Sequence, residues 1–329
     1  SHNAATVSCR QIYLESFEQR KFGKGDVMLE ILGKTSIDFM GWRRYSFTVS
    51  SIFVILGIIG VVQISRGAAN LGIDFADGTA IQLKFERPVS IEQVRTALIH
   101  HGWSDIDLQD FMTESKLLIR IKAKSSIEEK TAERVMEAIK KTFPDNPYVV
   151  ESSMEIGPTI GQKLQQDALL AITLSMVGIV LYIASRFEFR FGAAAAIATL
   201  HDVLAVLGIF YLMDKEITLL FVTALLTLAG YSLTDTVVVF DRIRENLKVR
   251  RREAFENLIN SAINQVLSRT IVVSMTVILV LIPLTVGGGE VLHDFSLALL
   301  LGVIIGTYSS VFVASPLLAL RKNPTSLSR

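Results

Sequence analysis

The stretch Gly230-Tyr231-Ser232-Leu233-Thr234-Asp235-Thr236-Val237-Val238-Val239-Phe240-Asp241-Arg242-Ile243-Arg244-Glu245-Asn246 decides how the rest of the chain is read. It closes an apolar run that begins near Ile217 and is long enough to span a bilayer. Asp235 lies more than a turn inside the end of that run. A charged side chain in hydrocarbon costs about 3 kcal/mol on insertion scales. A carboxylate kept there has to be paired, hydrated or used to carry protons. The chain therefore reads as a polytopic membrane protein with an ion-coupled task.

Composition agrees with that reading. Half of the 329 residues are hydrophobic, and prolines and aromatics are few. Mean hydropathy is +0.44, a combination rare in soluble domains. A formal net charge of +1 creates no global field for nucleic acid. The single Cys9 allows no intramolecular disulfide and no cysteine-based metal site. The polar N-terminal region lacks the apolar core of a cleavable signal peptide, so the first span is expected to act as the insertion signal. Lys24-Gly25-Asp26-Val27 precedes Met28. Residues 1–27 are therefore either native or sequence lying upstream of a natural start at Met28.

Six apolar stretches reach the length a helix needs to cross the hydrocarbon core: Ser46–Ile64, Ala168–Ser185, Phe191–Met213, Ile217–Phe240, Thr270–Gly287 and Phe295–Leu320. Lys and Arg set their orientation. Arg43 and Arg44 precede the first span, Arg186 and Arg190 follow the second, and a basic run from Arg242 to Arg269 joins the fourth to the fifth. Arg321 and Lys322 follow the sixth. With all spans counted, these regions fall on one side, so both termini are expected in the cytoplasm. The domain plan is a segment 1–45, a first span 46–65, an extracytoplasmic domain 66–166, the remaining spans with short loops over 167–322, and a tail 323–329.

The extracytoplasmic part has a readable pattern. Thr79–Phe85, Asp105–Phe111, Lys116–Lys122 and Tyr148–Glu155 alternate as strands. Ser90–His101 is predicted helical, with Ser90 as N-cap and Gln93 completing a capping box, and Ser126–Phe143 is an amphipathic helix. The order β-α-β-β-α-β is that of a ferredoxin-like α+β domain.

The chemistry centres on Asp235. Arg269 stands near the cytoplasmic end of the fifth span, and antiparallel helices would bring the two charges to similar depth. Burial favours a neutral carboxyl group, whereas a neighbouring guanidinium favours the charged one. Moving Arg269 towards and away from Asp235 would then load and release a proton. The bland alternative is a static pair that fixes two helices. His201 and Asp202 in the third span either relay protons to Asp235 or form a structural polar patch. A second pair, His293-Asp294, lies at the outer end of the sixth span. No ligand set for a metal or cofactor is expected. Arg250-Arg251-Arg252 reads as topology-setting charge, with no aromatic interleaving for nucleic acid. Gly72 and Gly78 on one side of the outer domain, and Gly157, Pro158 and Gly161 on the other, are candidate hinges.

These motifs carry a resemblance. Ile31-Leu32-Gly33-Lys34-Thr35 with Ile37-Asp38-Phe39-Met40-Gly41, Gly72-Ile73-Asp74-Phe75, Gly157-Pro158 with Gly161, Leu200-His201-Asp202-Val203, the Gly230–Asn246 stretch and Ser268-Arg269-Thr270 appear in this order. From Met28 onward the chain resembles the SecF family of the RND superfamily. That resemblance implies a non-enzymatic subunit of the bacterial inner membrane that works with SecD and the SecYEG channel. It would use protons of the proton motive force to promote preprotein translocation, with YajC and YidC as further partners. It also implies that Asp235 and Arg269 take part in proton flow. Asp77 departs from the family pattern, which has glycine there. The rival readings are a passive scaffold for the same partners and an exporter of small molecules or lipids. An intramembrane enzyme would need a nucleophile–base set that is absent from the motifs.

Overall fold

The structure, a computed structural model, describes residues 35–319 apart from 77, 104–105, 112–114, 123–130 and 251–252. The N-terminal motif up to Lys34, Asp77, Arg251, Arg252, the start of the 126–143 helix and everything after Ala319 lie outside the described residues. All contacts below fall within the compact unit Ser36–Arg329.

The apolar runs form helices that outlast them. The order is α1 (Arg43–Ser65), α2 (Ile73–Ala76), β1 (Gly78–Phe85), α3 (Ile91–His100), β2 (Ile106–Phe111), β3 (Lys116–Lys122), α4 (Thr131–Thr142), β4 (Tyr148–Ile156), α5 (Pro158–Arg186), α6 (Phe189–Leu212), α7 (Leu219–Val249), α8 (Phe255–Gly287) and α9 (Gly289–Ser309). A π-turn, Ser310–Ala314, then leads into α10 (Ser315–Ala319). Six helices are long and apolar enough to cross a membrane. Apolar length decides where a span sits, but helix ends are decided by caps and packing, so α5 begins well before Ala168 and α8 well before Thr270. The early part of α8 is amphipathic. Leu258, Ile259, Ala262, Ile263 and Leu267 are buried on one face.

The spans are not equivalent. More than half of the apolar window is buried in α6, α7 and the α9–α10 span (61%, 56% and 56%), against 17%, 11% and 17% in α1, α5 and α8. The inner three carry the buried polar side chains His201, Asp202, Ser232, Asp235 and Ser309, which the surrounding helices shield from lipid. Helix α1 lies against α6 at a close crossing. A Cβ on Gly208 would stand 2.6 Å from the Gly57 amide nitrogen, so only glycine permits the backbones to approach this far. Near the end of the last span Pro316 cannot donate to Phe312, and the helix widens into the π-turn just before it. The Ser315 hydroxyl bonds the Ser310 carbonyl at 2.9 Å and satisfies one freed acceptor.

Between α1 and α5 lies a four-stranded sheet of order β2-β3-β1-β4. Every neighbouring pair is antiparallel. Helices α3 and α4 bury Val94, Leu98, Val135 and Ile139 against Ile81, Leu83 and Ile119. The side chains of β4 are mostly exposed. Ser90 stands at the N-cap of α3 with extended backbone, yet its side chain makes no capping bond, so the expected capping box is not formed.

The sheet is tied to the membrane helices at its base. Gly72 N–H donates to the Ile217 carbonyl (3.0 Å) and Ile217 N–H to the Asn70 carbonyl (2.9 Å). Asp74 accepts from Leu219 N–H at 2.8 Å, which satisfies a free donor at the start of α7. Arg120 of β3 pairs with Glu216 at 3.5 Å. On this side Gly72 is bonded into the joint, and Gly78 is the first residue of β1, paired with Lys122 and Ile156. A Cβ there would meet the Ile121 carbonyl at 2.5 Å, so strand approach rather than turning calls for glycine. On the other side only Gly157 separates β4 from α5, with Pro158 as first helical residue. Gly157 accepts from Gly161 N–H at 3.0 Å.

Candidate functional site: a buried polar track between the spans

Asp202 projects from α6 into the interior and is fully buried, with His201 beside it at 3% exposure. A buried carboxylate needs several donors, and three helices supply them. His201 Nδ1 lies 2.8 Å from Oδ1. Ser309 of α9 donates to Oδ2 at 2.7 Å, and Ser232 of α7 donates to the same oxygen. Gly306 lets α9 come this near α7, since a Cβ there would touch Ser232 at 3.2 Å.

Asp235 follows Ser232 by one helical step on the same face of α7. It is 6% exposed. Its Oδ2 is buried and accepts no hydrogen bond. The polar groups acting on it are the hydroxyls of Ser274 on α8 and Thr307 on α9, which bond each other at 2.6 Å. Tyr231 reaches Ser274 at 3.4 Å. Together these make a polar track in two groups, His201, Asp202, Ser232 and Ser309 in one and Asp235, Ser274 and Thr307 in the other. Ser232 and Asp235, three apart on α7, set the groups side by side, with no hydrogen bond between them among the described residues. Among the described residues, four buried side-chain atoms on α6 and α7 have no partner: Thr199 Oγ1, His201 Nε2, Asp235 Oδ2 and Thr236 Oγ1. Unpaired buried polar atoms are costly, and a set of them beside two carboxylates is suited to receiving and passing a proton.

The expected Asp235–Arg269 contact is not made. Arg269 is exposed and forms no ion pair with Asp235 among the described residues. Tyr231 meets Ser274 and Arg242 meets Gln265, a register that leaves Arg269 only about half a turn nearer the basic end than Asp235. What separates them is facing: Arg269 is exposed, while Thr270 and Ser274 on the same helix are buried. Ser274 acts on Asp235 from about one turn towards the opposite end. Ser274, Thr307 and Ser309 escaped the sequence reading because a Ser or Thr in an apolar helix usually bonds its own backbone. Nothing local marks the ones that reach across. His293 and Asp294 are taken up elsewhere: His293 Nδ1 bonds the Thr285 carbonyl at 2.8 Å, and Asp294 pairs with Lys215 at 2.9 Å. No group of three or more His, Cys, Asp or Glu positioned for a metal occurs among the described residues.

Outside the membrane spans, the segment before α1 is clamped to α8. Ile37 N–H donates to Asn264 Oδ1 (3.0 Å) and Met40 N–H to Asn260 Oδ1 (3.0 Å). Asp38 Oδ1 accepts from Gly41 N–H at 3.0 Å and from Asn260 Nδ2 at 2.7 Å. These donors hold the Asp38 carboxyl below its ordinary pKa, the Gly41 amide contributing most.

Fold and track define a class: a multi-pass helical membrane protein with a small α+β domain between its first two spans and carboxylates buried among its inner helices. The comparisons narrow this. Residues 134–323 match the family described as protein export membrane protein SecD/SecF, C-terminal. The protein translocase subunit SecF of Thermodesulfovibrio yellowstonii is 52% identical over 295 residues, 89% of this chain and 97% of that protein. SecF of Vibrio alginolyticus is 39% identical, covering 88% and 91%. The crystal structure of SecDF, a translocon-associated membrane protein from Thermus thermophilus, superposes with a TM-score of 0.76 at 34% identity over 93% of this chain. SecDF in a super-membrane-facing form gives 0.63 at 35% identity over 87%. The chain spans 41% of the first SecDF chain and 39% of the second. The chain belongs to the SecF family.

Proposed function

We propose that the chain is the SecF half of a SecD–SecF assembly that uses the proton motive force to promote preprotein movement through the SecYEG channel. The observation that carries this reading is the pair of buried carboxylates, Asp202 and Asp235, held among α6, α7, α8 and α9. The size relation supports a SecD-like partner, since the SecDF chains hold more than twice this length. The basic ends of the spans support a bacterial inner-membrane location with both termini cytoplasmic. The sheet domain then lies outside as a ferredoxin-like unit, consistent with its strand order.

Asp235 is the proton acceptor in this scheme, with an oxygen not yet committed to any donor. Arg269 stands about half a turn away along the helix axis, on an exposed face. A rotation of α8 with a slide of that size would bring the guanidinium to the carboxylate and expel its proton. One charge crossing the membrane is worth about 2.3 kcal/mol per 100 mV, enough to bias two helix arrangements. Movement of the sheet domain on Gly157, Pro158 and Gly161 would supply the stroke.

Asp235→Asn tests the proton role. Proton-gradient-dependent export, measured in inverted membrane vesicles with the partner subunit present, should fall to the level without SecD and SecF while protein abundance holds. Normal export would leave only the scaffold reading. That second reading is favoured by one observation of its own: Asp202 already has three donors and stitches three helices together. The stroke is tested separately. In a Cys9→Ser background, Arg120→Cys and Glu216→Cys joined by a short thiol crosslinker should stop export, and a reductant should restore it when the linker is cleavable. Export unaffected by the link would remove the stroke.

A further inference from the structure

A groove of about 680 Å³ opens where α1 begins, between the Asp38–Gly41 segment, the first turns of α1 and the first turn of α8. Its walls carry both signs of charge. Arg43 is already paired with Glu256. Arg44 has no ion-pair partner among the described residues and is exposed. Asp38 accepts through Oδ1 from Gly41 and Asn260 and is exposed, so the outer side of its carboxylate is open to a ligand. The groove thus offers one unspent cation and one open carboxylate, with Asn257 beside them. It sits where polar chain turns into apolar helix. Trp42 and Tyr45 flank it with 65% and 76% exposure, the placing of aromatic side chains at a membrane–water boundary.

We propose that this groove binds the headgroup of a zwitterionic aminophospholipid of the ethanolamine class, with its phosphate on Arg44 and its ammonium on Asp38. The balance of charge selects the headgroup. A purely anionic lipid would bring its phosphate to Arg44 but leave Asp38 and Glu256 facing added negative charge. A choline headgroup has no N–H to give to Asp38 and is wider at nitrogen. An ethanolamine headgroup satisfies both ends with charge-assisted hydrogen bonds. The bound lipid would brace the junction of α1 with α8, the helix on which Arg269 stands.

Native mass spectrometry of the full chain in mild detergent tests this, with phosphatidylethanolamine, phosphatidylcholine and phosphatidylglycerol of equal acyl chains offered in equal amounts. Ethanolamine lipid should be retained about fivefold over each of the others, the value of one modest hydrogen bond. Arg44→Gln, at an exposed position, should lower retention of all three lipids, and Arg44→Lys should keep part of it. Asp38→Asn should bring ethanolamine and choline lipids level. Soluble glycerophosphoethanolamine should compete with the lipid if the headgroup is what is recognised. Equal retention of all three lipids, preference for the glycerol lipid, retention unchanged by Arg44→Gln, or an ethanolamine preference that survives Asp38→Asn would overturn the proposal.

Discussion

Replacing Asp202 with alanine takes the acceptor from three donors at once: His201 Nδ1, Ser232 Oγ and Ser309 Oγ. None of these residues has solvent to turn to, since Ser232 and Ser309 are fully buried and His201 nearly so. Interhelical hydrogen bonds in membrane proteins average about 0.6 kcal/mol each. A buried donor left unpaired costs about 1–3 kcal/mol. The hydroxyls have partial refuge in their own helices, and Ser309 already contacts the Gly306 carbonyl at 3.2 Å. The low end of the second range therefore applies, and Asp202→Ala should lose about 2–4 kcal/mol of stability. Asp202→Asn keeps one oxygen acceptor and should lose about 1 kcal/mol. Reversible unfolding in mixed micelles, followed by helical circular dichroism, measures both. The same series with Ser309→Ala closes a double-mutant cycle, whose coupling should exceed about 0.5 kcal/mol for residues in contact. Asp202→Ala as stable as the parent, or strict additivity with Ser309→Ala, would show that the carboxylate does not tie α6 to α9.

The crossing of α1 and α6 gives a second expectation. Gly208→Ala forces a Cβ to within 2.6 Å of the Gly57 nitrogen and should cost about 1–3 kcal/mol in the same assay. Gly178→Ala on α5, with nothing near its Cβ position, should be neutral or stabilising. The clamp before α1 should respond to acid. The Asp38 carboxyl is held below its ordinary value, so its contribution is complete above about pH 4 and is lost as pH falls through the lowered folded value. Amide exchange at Met40 and Gly41, corrected for intrinsic rates, should accelerate on acidification across that window. In Asp38→Asn the acceleration should be absent.

Much of the architecture was legible in local pattern. Lipid-length apolar runs appear as α1 and α5–α9 because hydrophobicity summed along a segment needs no knowledge of its neighbours. The alternation in Lys116–Lys122 coincides with β3 for the same reason. Asp202, His201 and Asp235 stood out because charge amid hydrocarbon is anomalous at any register. The polar ends of helices were less visible, as with the start of α8, where a buried stripe replaces continuous apolarity.

The sequence by itself determined which segments enter the membrane, which side carries the basic ends, and which ionisable groups are trapped among the spans. Tertiary structure alone decided that α6, α7 and α9 form the interior, that Ser232 and Ser309 hold Asp202, and that Ser274 rather than Arg269 stands beside Asp235. The physical reason is one of range. Burial and periodicity are properties of consecutive residues. Register between two helices is set by where small residues such as Gly57, Gly208 and Gly306 let backbones touch, and register together with the facing of α8 decides whether a hydroxyl or a guanidinium meets the carboxylate.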